Sequence, residues 1–69
     1  MMIRYEYGEL YKDKNGCYCF DGSVLSKSKW SILDFVEALN YLGEDGWEFV
    51  MKYKDSINGE VFVMKRIKQ

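Results

Sequence analysis

Histidine and proline are both missing from this chain, and only two cysteines occur among its 69 residues. Without histidine there is no ordinary near-neutral proton switch and no imidazole ligand, so histidine-based catalysis and standard zinc sites are not expected. The cysteines are Cys17 and Cys19. On a strand, that i, i+2 spacing puts both side chains on one face. A bridge between such close neighbours would be strained, and two thiolates are too few ligands to hold a metal. They read as reduced, half-buried small hydrophobes. No apolar run approaches the roughly 18 residues of a membrane span, and no signal-peptide pattern opens the sequence. The expected setting is therefore cytoplasmic and reducing, with no membrane partner. Neither sign of charge dominates: ten Lys+Arg face eleven Asp+Glu, a net charge of -1. A nucleic-acid partner is accordingly not expected.

What is present is apolar and aromatic. Hydrophobic residues make up 48% of the chain and aromatics 17%, too many for a disordered polymer. No low-complexity run, repeat or linker interrupts residues 1–69, which read as one small domain. A domain of this size buries only roughly 60% of its unfolded surface and is marginal as a monomer. Small domains usually add a disulfide, a metal or a partner subunit. Homo-oligomerisation is the remaining expectation once the first two are set aside.

Periodicity outlines the elements. Ile3, Tyr5 and Tyr7 alternate with Arg4 and Glu6 in a half-buried strand pattern. Asn15-Gly16 supplies the positive-φ residues of a tight hairpin turn, Cys17 to Phe20 reads as the return strand, and Asp21-Gly22 is a further turn signal. Ser23 to Lys29 is polar and reads as loop. Ser31 is a suitable N-cap with Asp34 three residues on, and Ile32, Phe35, Val36, Leu39 and Leu42 follow helical spacing. Gly43 extends that stripe and is expected at a close helix–sheet contact, while Gly46 is the expected left-handed residue ending the helix. From Trp47 to Lys54 the period is two, placing Trp47, Phe49, Met51 and Tyr53 on one face and Glu48, Val50, Lys52 and Lys54 on the other. Asn58-Gly59 marks a second hairpin turn before a last strand, Glu60 to Ile67, that is apolar on both faces. The sum is an α+β fold of order ββαββ, an antiparallel sheet of about four strands with one helix packed on one face. The other sheet face needs a cover, and a partner subunit is the simplest one.

The run from Leu39 to Val50, Leu-Asn-Tyr-Leu-Gly-Glu-Asp-Gly-Trp-Glu-Phe-Val, together with the closing Val61-Phe62-Val63-Met64-Lys65-Arg66, resembles domain-of-unknown-function family 4177. Members of that family are short bacterial and phage proteins with an LNxLGxxGWExV helix–strand junction and a final strand ending in Lys-Arg. Met64 stands where an aromatic is often found, and the Asn-Gly hairpin with Cys-Tyr-Cys has no clear counterpart. The resemblance covers about half the chain. It implies a small α+β unit, commonly oligomeric, and carries over no catalytic residue.

Three constellations are candidates for function. The first is Lys27, Ser28, Lys29, Trp30 and Ser31, directly before the expected helix. Unpaired N–H groups there, with two lysines and two hydroxyls, suit a phosphate, and Trp30 suits a base. The same residues also read as a solvated loop that serves only to cap. The second is the basic final hairpin, where Lys65 and Arg66 would form the rim of such a site and Lys54 and Lys68 read as edge-strand protection. The third is Tyr5, Tyr7 and Tyr11, with Val50, as an interface, since tyrosine offers contact area and a hydroxyl at low entropic cost. No Cys-His or Ser-His pairing exists, so the chain reads as no enzyme, with no cofactor and no metal. The leading expectation is a homo-oligomeric binding module for a small anionic, nucleotide-like ligand, of a kind that could sequester a signal. The alternative is a protein-interaction or accessory module without a small ligand.

Overall fold

Turn chemistry organises the first half of the chain. The computed structural model describes residues 2–25, 34–57 and 59–69. Strand β1 (Tyr5–Lys12) returns as β2 (Tyr18–Phe20) through a loop closed by the Asp13 N–H donating to the Cys17 carbonyl at 2.8 Å. The Asp13 carboxylate fixes that loop by accepting from the Asn15 and Cys17 N–H groups, both at 2.9 Å. Only Gly16 takes a positive φ there (84°). The connection is thus a three-residue loop ending in a left-handed glycine, not the two-residue Asn15-Gly16 turn expected. The next reversal is the two-residue type: Asp21 and Gly22 have φ of 49° and 88°, and Phe20 pairs with Ser23. Positive φ at both central residues matches the right-handed twist of flanking strands. Ser23 and Val24 therefore form a short strand, β3 (Ser23–Val24), where a loop was expected.

The helix α1 (Phe35–Glu44) begins later than its apolar spacing suggested. Its N-cap is Asp34, not Ser31. The Asp34 carboxylate accepts from the Glu37 N–H at 2.8 Å, and the Glu37 carboxylate accepts from the Asp34 N–H at 3.2 Å. That reciprocal box satisfies two N–H groups that the first turn leaves open. The buried stripe is Phe35, Ala38, Leu39 and Leu42. Val36, expected on it, sits about 100° around the axis and is 62% exposed. Gly43 is exposed too, and a Cβ built on it would meet nothing within 4 Å, so the expected close contact is absent. Gly46 ends the helix as anticipated, with φ of 89°. Its N–H donates to the Gly43 carbonyl at 2.9 Å and the Trp47 N–H donates to the Leu42 carbonyl at 3.1 Å. These are the two bonds of a Schellman ending, and the accompanying apolar contact is Trp47 in the same buried cluster as Leu42.

The chain then enters β4 (Glu48–Asp55) and β5 (Gly59–Ile67). Among the described residues the sheet has five strands in the order β3-β2-β1-β5-β4, antiparallel at every pairing. It has one strand more than expected, because of β3. The sheet's centre is the β1–β5 ladder, which runs from Tyr5 opposite Ile67 to Tyr11 opposite Val61. Residues opposite one another across a ladder share a face. The face under the helix holds Gly8, Leu10, Phe20, Phe62 and Met64, with Leu10 and Met64 almost wholly buried. Phe35 meets Phe62 with ring centres 4.7 Å apart, and Phe20 meets Trp47 edge-on at 4.8 Å. Tyr5 and Tyr7, expected to be half-buried, point to the other face and are exposed.

The glycines in this fold make opposite predictions. A Cβ on Gly8 would lie 2.3 Å from Cζ and 2.9 Å from Cε1 of Phe20, whose ring crosses the strand there. Gly8→Ala is expected to lower stability by about 1–3 kcal/mol, the usual cost of overpacking. Gly43→Ala, with open space and helical backbone, is expected to raise it by about 0.5–1 kcal/mol. Urea unfolding followed by far-UV circular dichroism reads both, and a loss of stability in Gly43→Ala would contradict the open position assigned to it.

Candidate functional site

An irregularity in β4 decides what the exposed sheet face is made of. Glu48 pairs with Lys65 and Phe49 with Met64, but the next pair is Met51 with Val63. Val50 is the extra residue of a bulge, without an opposite number on β5. One inserted residue reverses the alternation downstream, because the side-chain period is two. Met51 and Tyr53 therefore leave the face that holds Trp47 and Phe49, contrary to the uninterrupted period read in the sequence. They join Tyr5, Tyr7 and Tyr11 on the face opposite the helix. Two side-chain contacts agree with this assignment. The Tyr53 hydroxyl donates to the Glu9 carboxylate on the open face, and Lys52 pairs with Glu60 at 3.6 Å on the helix face.

The open face is therefore a grid of apolar and aromatic side chains. One row crosses the sheet through Val24, Cys19, Tyr11, Val61 and Tyr53. The next rows hold Glu9, Val63 and Met51, then Tyr7, Lys65 and Glu48, then Tyr5 and Ile67. Within this grid Cys19 and Val61 are buried by their neighbours, whereas Tyr7 is 61%, Val24 58%, Ile67 57% and Met51 51% exposed. Monomeric proteins rarely expose contiguous apolar patches beyond a few hundred Å². The polar groups of the face already have partners: Lys65 Nζ lies 3.6 Å from Glu48 Oε1 and 4.5 Å from the Tyr5 ring centre.

Of the residues singled out in the sequence, those the structure describes can now be placed. Lys27, Ser28, Lys29, Trp30 and Ser31 lie outside the described residues. Tyr5, Tyr7 and Tyr11 share the open face, as grouped. Val50 sits in the bulge at the outer edge, half exposed and unpaired with β5. Lys65 and Arg66 do not form one rim, because successive strand residues point to opposite faces. Arg66 lies on the helix side, where its guanidinium stacks 4.5 Å from the Trp47 ring centre. It also reaches both oxygens of Glu6, with Nε 3.4 Å from Oε2 and a second contact of 3.5 Å to Oε1. A further bond of 3.3 Å goes to the Asp45 carbonyl at the helix C-terminus. The depression beside it is lined by Glu6, Asp45, Gly46, Arg66, Ile67 and Gln69. Glu6 and Asp45 bring two carboxylates to it, and the Arg66 guanidinium is engaged by Glu6 and the Trp47 ring. Met51 and Tyr53 were assigned to the wrong face because no residue type announces a bulge. The outward apolar side of β5, already visible as Val61, Val63 and Ile67, was the signal that the face continued across the sheet.

Cys17 and Cys19 are both free thiols. Burial, with the Asp13 carboxylate next, pushes the Cys19 thiol up, and its Sγ donates to Asp13 Oδ2 at 3.8 Å. A thiol kept protonated is a poor nucleophile. Among the described residues no group of three or more His, Cys, Asp or Glu could hold a metal, and no helix is long and apolar enough to cross a membrane.

The Glu9 bond raises the Tyr53 phenol above its ordinary value of 10.0, with burial and the charges of Glu9 and Asp55 adding to it. The neutral phenol is the form the fold favours. Its contribution is complete below pH ~10, where an unfolded tyrosine titrates, and is lost as pH rises through the higher folded value. In an absorbance titration of tyrosinate, Glu9→Gln is expected to move the ionisation of Tyr53 to lower pH. An unchanged titration curve in Glu9→Gln would show that the bond does not hold in solution.

No protein-family model matches the chain, and no curated protein or solved structure matches it either.

Proposed function

We propose that the chain is a non-enzymatic interaction module that works through the open face of its sheet. The observation that carries this reading is the contiguous patch formed by Tyr5, Tyr7, Met51, Tyr53, Ile67 and Val24, exposed on the side the helix does not cover. Tyrosine and methionine are enriched where proteins meet, because they bring area and, in tyrosine, a hydrogen-bonding tip. The edges of the sheet are less inviting. β3 is two residues long, and β4 carries a bulge together with Lys52 and Lys54. Short strands, bulges and lysines are the usual devices against edge-to-edge pairing. The likeness of the Leu39–Val50 run to family 4177, whose members are commonly oligomeric, agrees with a surface-based role.

Capture of a small anionic ligand is the competing reading. It gains nothing from Lys65 and Arg66, whose charges are spent on Glu48 and Glu6 and on the rings of Tyr5 and Trp47. It rests on Lys27, Ser28, Lys29, Trp30 and Ser31 alone, and on the general fitness of a helix start for phosphate. The Asp34 and Glu37 carboxylates at the observed helix start weigh against an anion there.

Photo-crosslinking separates the face from the rest of the surface. With p-benzoylphenylalanine in place of Tyr7, irradiation of expressing cells is expected to yield a discrete crosslinked protein species. The same group in place of Val36, exposed on the helix, is expected to yield none. Absence of any adduct from position 7, or equal adducts from both positions, would overturn the reading.

A further inference from the structure

The interaction face raises the question of what covers it, and we infer that its occupant is a second copy of this chain, packed sheet face to sheet face about a two-fold axis. This rests on the reading of the open face as an interaction surface and names the partner. The first argument is area. A whole large side chain presents ~150–250 Å². On that scale the exposed fractions of Tyr5, Tyr7, Tyr53, Met51, Ile67 and Val24 amount to roughly 600 Å² of apolar surface. A standard stable interface takes about 800 Å² from each partner, polar rim included. Glu9 and Lys65 lie within the grid, on the two central strands, and Glu48 borders it on β4, so their exposed parts add to the contact area and one face of this size fits one equal face.

The second argument is charge. The face has no surplus of cations with which to draw an RNA or an anionic membrane surface, because Lys65 is matched by Glu48. Its carboxylates are already engaged on the face: Glu9 accepts from the Tyr53 hydroxyl and Glu48 pairs with Lys65. What remains is apolar area dotted with phenol groups, and such a surface complements itself. Two-fold pairs meet through the same patch on each copy, so a self-complementary patch is the requirement.

The third argument is the geometry that remains open. Pairing through the β4 edge would bring Lys52 and Lys54 of each copy together across a bulged strand, and β3 is too short to serve. Face-to-face packing meets neither obstacle. Two twisted sheets pack about 10 Å apart with their inner side chains interleaved. The product is a four-layer assembly, with the two sheets inside and one helix on each outer surface. Tyr7 and Met51 lie within the contact, while Val36 and Tyr41, on the helix, remain outside it.

Sedimentation velocity of the purified chain over a concentration series is the direct test. The expected result is a species of twice the 8.2 kDa chain mass. Tyr7→Glu and Met51→Glu are each expected to weaken association by about tenfold or more, as for central aromatic and apolar anchors. Val36→Glu is expected to leave it unchanged. A monomer throughout the series would overturn the inference. So would a dimer that survives both face substitutions, which would move the contact elsewhere. Should the face variants fail to fold, nitration of the unaltered protein gives the same information: Tyr7 is expected to be protected at concentrations where the dimer forms and Tyr41 to react. Equal reactivity of the two would overturn the proposal. The crosslink from position 7 separates the two claims. An adduct of twice the chain mass supports both. An adduct with a different protein, beside a monomer in solution, ends the self-association proposal and leaves the interaction face standing.

Discussion

A sheet has two faces, and the described residues bring one helix to cover them. Much of the rest follows from that shortage. The helix is only 10 residues long, about 15 Å at 1.5 Å per residue, so it can cover only part of one side of a five-stranded sheet. The helix side is accordingly organised around few, large contacts: Phe35 on Phe62, Trp47 against Phe20, and Leu42 beside Trp47. Arg66 holds the corner where the helix ends, joining Trp47, Glu6 and the Asp45 carbonyl. The opposite side receives side chains of nearly the same character and, among the described residues, no helix to cover it. An apolar surface built by the same strands that build the core is the feature on which the proposed interaction role rests.

The bulge at Val50 is the local event that gives the open face its extent. Before it, β4 contributes Phe49 to the helix side, where its ring lies 6.2 Å from Phe62. After it, β4 contributes Met51 and Tyr53 to the other side. A regular strand would have sent both to the helix side and left the open face narrower, with Lys52 and Lys54 standing on it. A single extra residue thus moves two lysines to one side of the edge strand and two apolar side chains to the other.

The sequence was most informative where backbone chemistry is local. Gly46 followed by Trp47 announced the end of the helix, and Asp21-Gly22 announced a turn, because few residues tolerate positive φ. The α+β order and the antiparallel sheet were legible from periodicity. The helix start was misplaced because Ser31 and Asp34 are both good caps, and the choice fell to Glu37, the side chain able to close the box with Asp34. Val36 and Gly43 were read into the buried stripe although the 3.6-residue period favours Phe35, Ala38, Leu39 and Leu42. Ala38 drew no attention because a small side chain gives little hydrophobic signal, yet it is fully buried. Of the candidate site, the tyrosines of β1 were legible as a group. Lys65 and Arg66 were not legible as engaged, because their partners Glu48, Glu6 and Trp47 are far away in the chain or face the same way only after the sheet has closed.

The central ladder also sets an order of events. The β1–β2, β2–β3 and β4–β5 pairings are hairpins, closed by short loops between neighbours in the chain. The β1–β5 ladder is different: it joins Tyr5 to Ile67, and beyond it the Lys68 N–H donates to the Arg4 carbonyl at 2.8 Å. Closing so long a loop costs entropy before any of its contacts reward it. On a ribosome, β1 waits beside its single partner β2 until the residues of β5 have left the exit tunnel. During that interval its edge and its row of tyrosines face the solvent together. The innermost strand of the finished sheet is thus the one that completes its pairing last.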